Sequence, residues 1–492
     1  MLPLISIVLA TLAVGTVLTF LSGARARWTA LATSAAFLAE VALLLLDYTG
    51  WPGYSGTPLV PGFAEQEQHA WIHLSWLQVN YTVGVDGISL VLILLTAILQ
   101  IATVVYSWEE HERPGAYFGL VLLTCLGSFG VFVALDVLLF FLFWEAVLIP
   151  MFFLIGLWGG PRRRYAAIKF FVYTHVASIV MLVGLLATVF YSGATSLDFS
   201  AVDASARTLS SVDQSFLFLA LFFGFGVKFP IVPFHTWLPD AHVEAPTGGS
   251  VLLAGLLLKL GGYGLIRWAV EILPSGFAND RPILFAVALV SIVWGSVVSL
   301  AQRDLKRLVA FSSINHMGIV LLAIALNSSL GLLAAVLLMF AHGIVSALLF
   351  MGAGTVHHTF GTRDIGSLGG ITPTSPTLST MLMAGSLASL GLPALIGFPA
   401  EFAALLATWY GIGYWVLVPL AILVVTAGFY LWMMQRMLFG PKVGVPAGAH
   451  DVRWFEGAGM AILVVCTVLF GILPGLLVNV ITSSPVHGFP GP

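Results

Sequence analysis

The chain has 492 residues, of which 59% are hydrophobic and 8% are charged, and its formal net charge is −3. A soluble domain carries about 25% charged residues, so this composition excludes a soluble globular enzyme, a disordered chain and a basic nucleic-acid binder. The apolar residues fall in runs of about twenty, the length that an α-helix needs to cross a bilayer, and not in alternating segments of about ten as in a β-barrel. The composition therefore predicts an all-α polytopic membrane protein.

About fourteen apolar runs lie between polar breaks, and each predicts one transmembrane helix. They cover residues 2–22, 28–48, 84–107, 115–134, 136–159, 165–191, 214–234, 248–270, 282–301, 307–326, 330–355, 377–410, 414–437 and 455–480. The loop at 49–83 is rich in Pro, Gly and Trp and predicts a small hairpin at the membrane surface. Its Trp51, Trp71 and Trp76 suit the membrane interface.

Basic residues set the predicted orientation. Thirteen of the nineteen Lys and Arg residues lie in the odd-numbered loops, three lie within helices, and the even-numbered loops contain Arg207, Arg267 and Arg281. Cytoplasmic loops of membrane proteins carry an excess of Lys and Arg. The odd loops are therefore predicted to be cytoplasmic and both termini to lie outside, as an even number of helices requires.

Four ionisable residues stand near the middle of apolar runs, namely Glu145, Lys228, Lys259 and Glu401. Each costs roughly 2.5–3.5 kcal/mol at a helix centre and marks a functional site by default. One such residue can be half of a buried ion pair that only sets helix register. Two lysines and two glutamates at similar depth favour a path for protons.

Prolines interrupt two of the predicted helices. Pro230 and Pro233 follow the buried lysine of the seventh helix, and Pro393 and Pro399 precede the buried glutamate of the twelfth. Broken helices survive at membrane depth where they line protein or a wet cavity, and a pair of them is typical of transporters built from inverted repeats. Kinks that only improve packing are the alternative.

The breaks predict two inverted five-helix repeats, helices 4–8 and helices 9–13, with helices 7 and 12 broken. The predicted divisions are 1–114 for helices 1–3, 115–271 for the first repeat, 282–440 for the second repeat and 441–492 for helix 14 and the tail.

Histidines lie between the charged positions. His235 follows the break in helix 7, His316 lies in helix 10 and His342 in helix 11. A neutral imidazole accepts a proton on one nitrogen and releases one from the other. A lone histidine on an apolar helix is more often a satisfied core residue, but several between a buried lysine and a buried glutamate predict a proton relay.

Five segments of the chain carry a family resemblance. The most specific is KFPIVPFHTWLPDAHVEAPTGGSVLLAGLLLKLGGYGLIR at 228–267, and the others are at 84–89, 140–159, 304–318 and 429–441. Together they resemble the antiporter-like subunits of respiratory complex I, a family that also includes Mrp-type cation/proton antiporter chains and chains of membrane-bound hydrogenases. The resemblance implies fourteen helices in two inverted repeats.

Glu401 stands where the other antiporter-like chains carry lysine, so within the family the chain resembles the chain-4 type, subunit M. The resemblance implies that Glu145 pairs with Lys228. It also implies that Lys228 passes a proton through His235 to Lys259, and that His316 and His342 carry this proton to Glu401 for release outside. His175 stands where the family has a neutral residue, and no role is assigned to it.

The function implied is proton translocation by a non-redox membrane subunit of NADH:quinone oxidoreductase, in the inner (plasma) membrane of a bacterium. An Mrp-type antiporter or membrane-bound hydrogenase subunit is the alternative. The expected partners are the lipid bilayer and other membrane subunits, including two related antiporter-like chains. No cofactor is expected in this chain. FMN and Fe–S clusters are expected in other subunits of the complex.

Overall fold

The computed structural model describes residues 3–49 and 62–484. Its helices are α1 (Leu4–Leu21), α2 (Ala26–Tyr48), α3 (Gly87–Tyr106), α4 (Pro114–Val133), α5 (Val137–Trp158), α6 (Arg163–Ser192), α7 (Phe199–Ala206), α8 (Ser211–Lys228), α9 (Trp237–Glu244), α10 (Thr247–Leu252), α11 (Leu258–Gly264), α12 (Pro274–Leu300), α13 (Leu305–Ala325), α14 (Ser329–Phe360), α15 (Pro376–Ser389), α16 (Gly397–Ile412), α17 (Leu417–Met437), α18 (Trp454–Ile472) and α19 (Gly475–Thr482). The π-helical segment Leu253–Leu257 joins α10 to α11, and a second π-helical segment, Leu265–Val270, continues α11, so that Thr247–Val270 is one helical span.

Thirteen helices within the described ranges are long and apolar enough to cross a membrane. The predicted polytopic helical fold is confirmed, although the expected number was about fourteen. The difference arises because the span Gly397–Met437, counted once, contains both α16 and α17, while α15 has only 14 residues. The C-terminal run, predicted as one helix over 455–480, is two helices, because Pro474 starts α19 as a separate segment.

Short polar side chains determine where several spans begin. Asp86, Asp136, Asp304 and Ser328 each accept a hydrogen bond from a backbone N–H in the first turn of α3, α5, α13 and α14, respectively. Such caps satisfy amide groups that have no partner within the helix. The polar residues between the apolar runs therefore fix the ends of the spans as well as separating them.

The spans form an inner group and an outer group. The span Thr247–Val270 is buried along its whole length, and α13 and α14 are buried over 94% of their most apolar windows. In the outer helices α1, α2 and α6 less than 40% of the corresponding window is buried. A charge on an inner helix cannot extend to the membrane surface as one near a helix end does, so its partners must lie within the protein.

Both predicted helix breaks are present. The chain leaves α8 after Lys228, passes Pro230 and Pro233 in a turn, and resumes as α9. The second break lies between α15 and α16, where Gly391 has a φ of +74°. Pro399 lies in the first turn of α16, where a proline is tolerated, so it begins a helix and does not interrupt one.

The predicted surface hairpin is present in the described part of the loop. Strands β1 (Ala64–His73) and β2 (Gln78–Val85) pair in antiparallel orientation. Trp71 and Trp76 are exposed, as expected for interfacial residues. Trp51 lies outside the described residues.

Asp198, in the connection between α6 and α7, anchors the hairpin. Its carboxylate accepts hydrogen bonds from Asn80 Nδ2 at 2.6 Å, Thr82 Oγ1 at 2.6 Å and Ser196 Oγ at 2.7 Å. Asn80 and Thr82 belong to β2, so one buried carboxylate fixes the strand against the helical body.

Candidate functional site

Glu145 and Lys228 come from neighbouring helices but do not form the direct ion pair that was predicted. Lys228, the last residue of α8, donates from Nζ to the carbonyl oxygen of Trp144 at 3.2 Å, and Nζ lies 3.9 Å from the centre of the Trp144 ring. Among the described residues no carboxylate lies within ion-pair distance of Lys228. The lysine is thus held by the residue that precedes Glu145, close enough for the two charges to interact.

The partner of Glu145 is His175 of α6, a residue to which sequence reasoning assigned no role. His175 Nδ1 lies 2.9 Å from Glu145 Oε2. The other carboxylate oxygen, Oε1, is buried and has no hydrogen-bond partner among the described residues. The signal in the sequence was that His175 stands where the family has a neutral residue, on the same apolar helix as Lys169, with nothing to show which way it faces.

Lys259 lies in the fully buried span, next to a widened helical turn. Its Nζ donates to the carbonyl oxygen of Ala254 at 2.5 Å and lies 2.7 Å from His342 Nδ1. Ala254 belongs to the π-helical segment before α11, and π turns are frequent at functional sites. The central lysine and the histidine of α14 are therefore in direct hydrogen-bond contact.

His316 lies between the Ser312 carbonyl and the Glu401 carboxylate. Its Nδ1 is 2.8 Å from the carbonyl oxygen of Ser312, and since a carbonyl only accepts, Nδ1 carries a hydrogen. Its Nε2 is 3.4 Å from Glu401 Oε1. The rings of His316 and His342 are 5.4 Å apart between centroids. The structure thus brings four predicted residues together, with His342 next to Lys259 and His316 next to Glu401.

A small cavity of about 20 Å³ lies between the two histidines and the glutamate. His316, His342 and Glu401 line it together with Ser312 and Ser346. Hydroxyl and imidazole groups can bind water, and the space is sufficient for an ordered water molecule. His342 Nε2, which has no partner among the described residues, can therefore reach His316 through water.

His235 lies in the turn after α8, away from both lysines. Its Nε2 accepts a hydrogen bond from Trp294 Nε1 at 3.1 Å, and its Nδ1 has no partner in the described part of the chain. The structure therefore does not place His235 in contact with Lys228 or Lys259, and its role as a relay stays a prediction.

Sequence reasoning left His242 of α9 out of the relay. His242 is fully buried and its ring stacks on Phe350 with centroids 4.4 Å apart. Neither ring nitrogen has a hydrogen-bond partner among the described residues. Lys259 and Lys306 are close enough to act on it electrostatically. Only packing brings it near the centre, because in sequence it is seventeen residues from Lys259.

A family model described as NADH:quinone oxidoreductase/Mrp antiporter, TM matches residues 134–429, more than half of the chain and including all seven predicted site residues. The chain belongs to this family. The resemblance found in the sequence motifs is thereby confirmed.

Relatives in this antiporter family match the chain over nearly its whole length. NADH-quinone oxidoreductase subunit M of Rhodobacter capsulatus is 40% identical over 94% of this chain and 90% of the relative. The F(420)H(2) dehydrogenase subunit M of Methanosarcina mazei is 39% identical over 98% of this chain and 97% of the relative. Both relatives are named subunit M, but their names give different electron donors, NADH and F(420)H(2).

Solved structures in the same antiporter family share the fold. A chain of respiratory complex I from Thermus thermophilus with bound NADH has a TM-score of 0.86 and 26% identity, and the match covers 97% of this chain and 98% of that one. A chain of the Mrp complex from Dietzia has a TM-score of 0.82 and 19% identity, covering 98% of this chain and 96% of that one. The second match supports the fold alone.

Proposed function

We propose that this chain is the proton-translocating membrane subunit of a respiratory complex of the NADH:quinone oxidoreductase type. The observation that carries the proposal is the row of buried groups from Lys259 through His342 and His316 to Glu401. Successive groups in this row lie at hydrogen-bond distance or are joined by a cavity. Relatives of about 40% identity named NADH-quinone oxidoreductase subunit M favour this function over the Mrp antiporter, whose matched chain is 19% identical.

Each group has a proposed task. Glu145 controls the charge beside Lys228, which loads a proton and passes it to Lys259. His342 and His316 carry the proton to Glu401, which releases it outside. The chemistry supports this order, since the atoms 3.4 Å apart in His316 and Glu401 serve both as imidazolium with carboxylate and as imidazole with carboxylic acid.

The two broken helices are proposed to be equivalent parts of two inverted repeats, 115–271 and 282–440. The support is that each break adjoins a buried ionisable side chain, Lys228 at the end of α8 and Glu401 near the start of α16. Interrupted helices free backbone groups that can hold water or ions.

The orientation proposed has the odd loops in the cytoplasm and both termini outside, in the inner membrane of a bacterium. The distribution of Lys and Arg along the sequence supports it, with thirteen residues assigned to odd loops and three to even loops, although one of these three, Arg267, lies within the buried span Thr247–Val270.

Partners and cofactors follow from the proposed function. Other membrane subunits of the complex, including two related antiporter-like chains, would contact the exposed apolar faces of the outer helices. Electron transfer would use FMN and Fe–S clusters in other subunits, while this chain moves protons only. The relatives named for NADH and for F(420)H(2) support this division, because similar M subunits occur with different electron donors.

The decisive experiment measures proton uptake by proteoliposomes that contain the intact complex and reduce quinone at a matched rate. Lys228→Ala and Glu145→Gln are expected to abolish proton translocation while the complex assembles. Normal translocation by both variants would refute the proposal, and a loss of assembly would indicate that the charges only fix helix register. Sodium-dependent proton exchange without quinone would favour the Mrp function instead.

A further inference from the structure

The hydrogen bond between Glu145 and His175 joins α5 to α6 on the outer side of the site. Their side chains are 20% and 40% exposed, whereas Lys228 is almost fully buried. The His175 ring is stacked on Phe171, one turn earlier in α6, with centroids 5.3 Å apart and planes 20° apart. Because this stacking holds the ring, Nδ1 has a defined position from which to donate to the carboxylate.

Only one of the two oxygens of the Glu145 carboxylate accepts a hydrogen bond among the described residues. Oε2 accepts from His175, whereas Oε1 is buried without a hydrogen-bond partner among the described residues. A buried carboxylate oxygen without a donor is costly. Lys228, which is bonded to the carbonyl of the preceding residue Trp144 and interacts electrostatically with Glu145, is a cation on another helix that can supply such a donor.

We propose that His175 is a positioning residue that competes with Lys228 for the Glu145 carboxylate and thereby sets whether the Glu145–Lys228 pair is open or closed. The role rests on the proposed function. With His175 protonated, its charged N–H holds Glu145 towards α6, and Lys228, deprived of its counter-ion, gives up its proton towards the centre. With His175 neutral the bond weakens, and Glu145 can move to Lys228, which then takes up a proton.

Several other charges on the helices packed against α6 already have partners. On α9, Asp240 accepts from Lys169 of α6 at 2.7 Å and is also contacted by Arg307. Asp203 of α7 is paired with Arg207, and Asp213 of α8 is bonded to Ser210. Glu145 on α5 is the carboxylate bonded to His175, and Lys228 on α8 is the cation that interacts with that carboxylate.

The test uses the intact complex in proteoliposomes and records the pH profile of proton translocation per electron. His175→Gln keeps a hydrogen-bond donor but cannot be charged. In the unmodified complex, translocation should decline at low pH because protonated His175 then holds Glu145 throughout the cycle. In the His175→Gln complex we expect this decline to occur about one pH unit lower, which is a tenfold change in proton concentration. His175→Asn serves as a second variant if His175→Gln does not assemble.

The matched control is His358→Gln, because His358 forms the same kind of bond, with Glu456 Oε1 at 3.0 Å, between α14 and α18. Its profile should coincide with that of the unmodified complex. An unshifted profile for the His175 variants, or an equal shift for His358→Gln, would overturn the proposal. Lys228→Ala distinguishes the role of His175 from the proposed proton translocation itself. If Lys228→Ala stops translocation while His175→Gln changes nothing, the role of His175 is refuted and the proposed function stands.

Discussion

His316 Nε2 and Glu401 Oε1 lie 3.4 Å apart, on two helices that come together only in the folded protein. The opposite nitrogen of His316 is bound to the Ser312 carbonyl, so the ring cannot turn away without losing that bond. This contact is the last proton transfer within the proposed path. The role of the Glu401 carboxyl group can therefore be tested by substitution.

Glu401→Gln removes the final acceptor while preserving shape. We expect proton translocation per electron to fall about tenfold or more, measured with a pH-sensitive dye in proteoliposomes. Glu456→Gln is the control, because Glu456 is equally buried and also bound to a histidine but lies outside the path. Equal losses in the two variants would argue against a specific role of Glu401.

Lys259→Met tests whether the central lysine is a relay or a structural pin. A buried ammonium group without a counter-ion is costly to desolvate, so with an apolar side chain of similar length the melting temperature should stay equal or rise. Translocation should be abolished. A protein that pumps normally, or one that melts much earlier because Lys259 holds the helices together, contradicts the relay.

Gly391→Ala should disturb Glu401 without touching an ionisable group. A Cβ at Gly391 would lie 2.4 Å from Glu401 Oε2, and the residue has a φ of +74°. We expect the carboxylate to be displaced, translocation to fall severalfold and stability to fall by about 1 kcal/mol.

Gly428→Ala in α17 is the matched control, since no atom of the described residues lies within 4 Å of its added methyl group. Its activity should be unchanged and its stability slightly raised, by about 1 kcal/mol. Both glycine variants can be compared by thermal unfolding in detergent and by dye quenching. A fully active Gly391→Ala protein would show that the carboxylate position is not critical.

Asp451 predicts a pH dependence of stability outside the spans. Partial burial tends to raise the pKa of its carboxyl, but hydrogen bonds from Thr377, Val452 and Leu378 outweigh this and hold the pKa below its usual value. A lowered pKa in the folded state means that the stabilisation is complete above about pH 4 and is lost as the pH falls through the lower, folded-state pKa.

Asp451→Asn should therefore lower the melting temperature of the complex at pH 7. The difference from the unmodified protein should be constant between pH 5 and 7 and shrink below about pH 4. Thermal unfolding followed across this range checks the prediction. A gap that grows on acidification would mean that the capping bonds are not the cause.

Much of the candidate site was predictable because ionisable residues in apolar runs stand out without any knowledge of packing. Lys259 and Glu401 were identified in this way, and the structure connects them through His342 and His316 as predicted. The bond between Glu145 and His175 was not predictable, since a histidine on an exposed apolar helix gives no sign of its direction. The position of His235 in the chain, between Lys228 and Lys259, also gave no sign of its direction, and in the structure its ring is bonded to Trp294.

The sequence by itself determined the membrane class, the positions of the spans, both helix breaks and the identity of the buried charges. These features depend on local hydrophobicity, on proline and on capping residues, which act within a few residues along the chain. Only the tertiary structure decided which charge meets which partner. That choice depends on the rotation of each helix about its axis, which is set by packing against its neighbours, so Glu145 faces both His175 and the lysine held by Trp144.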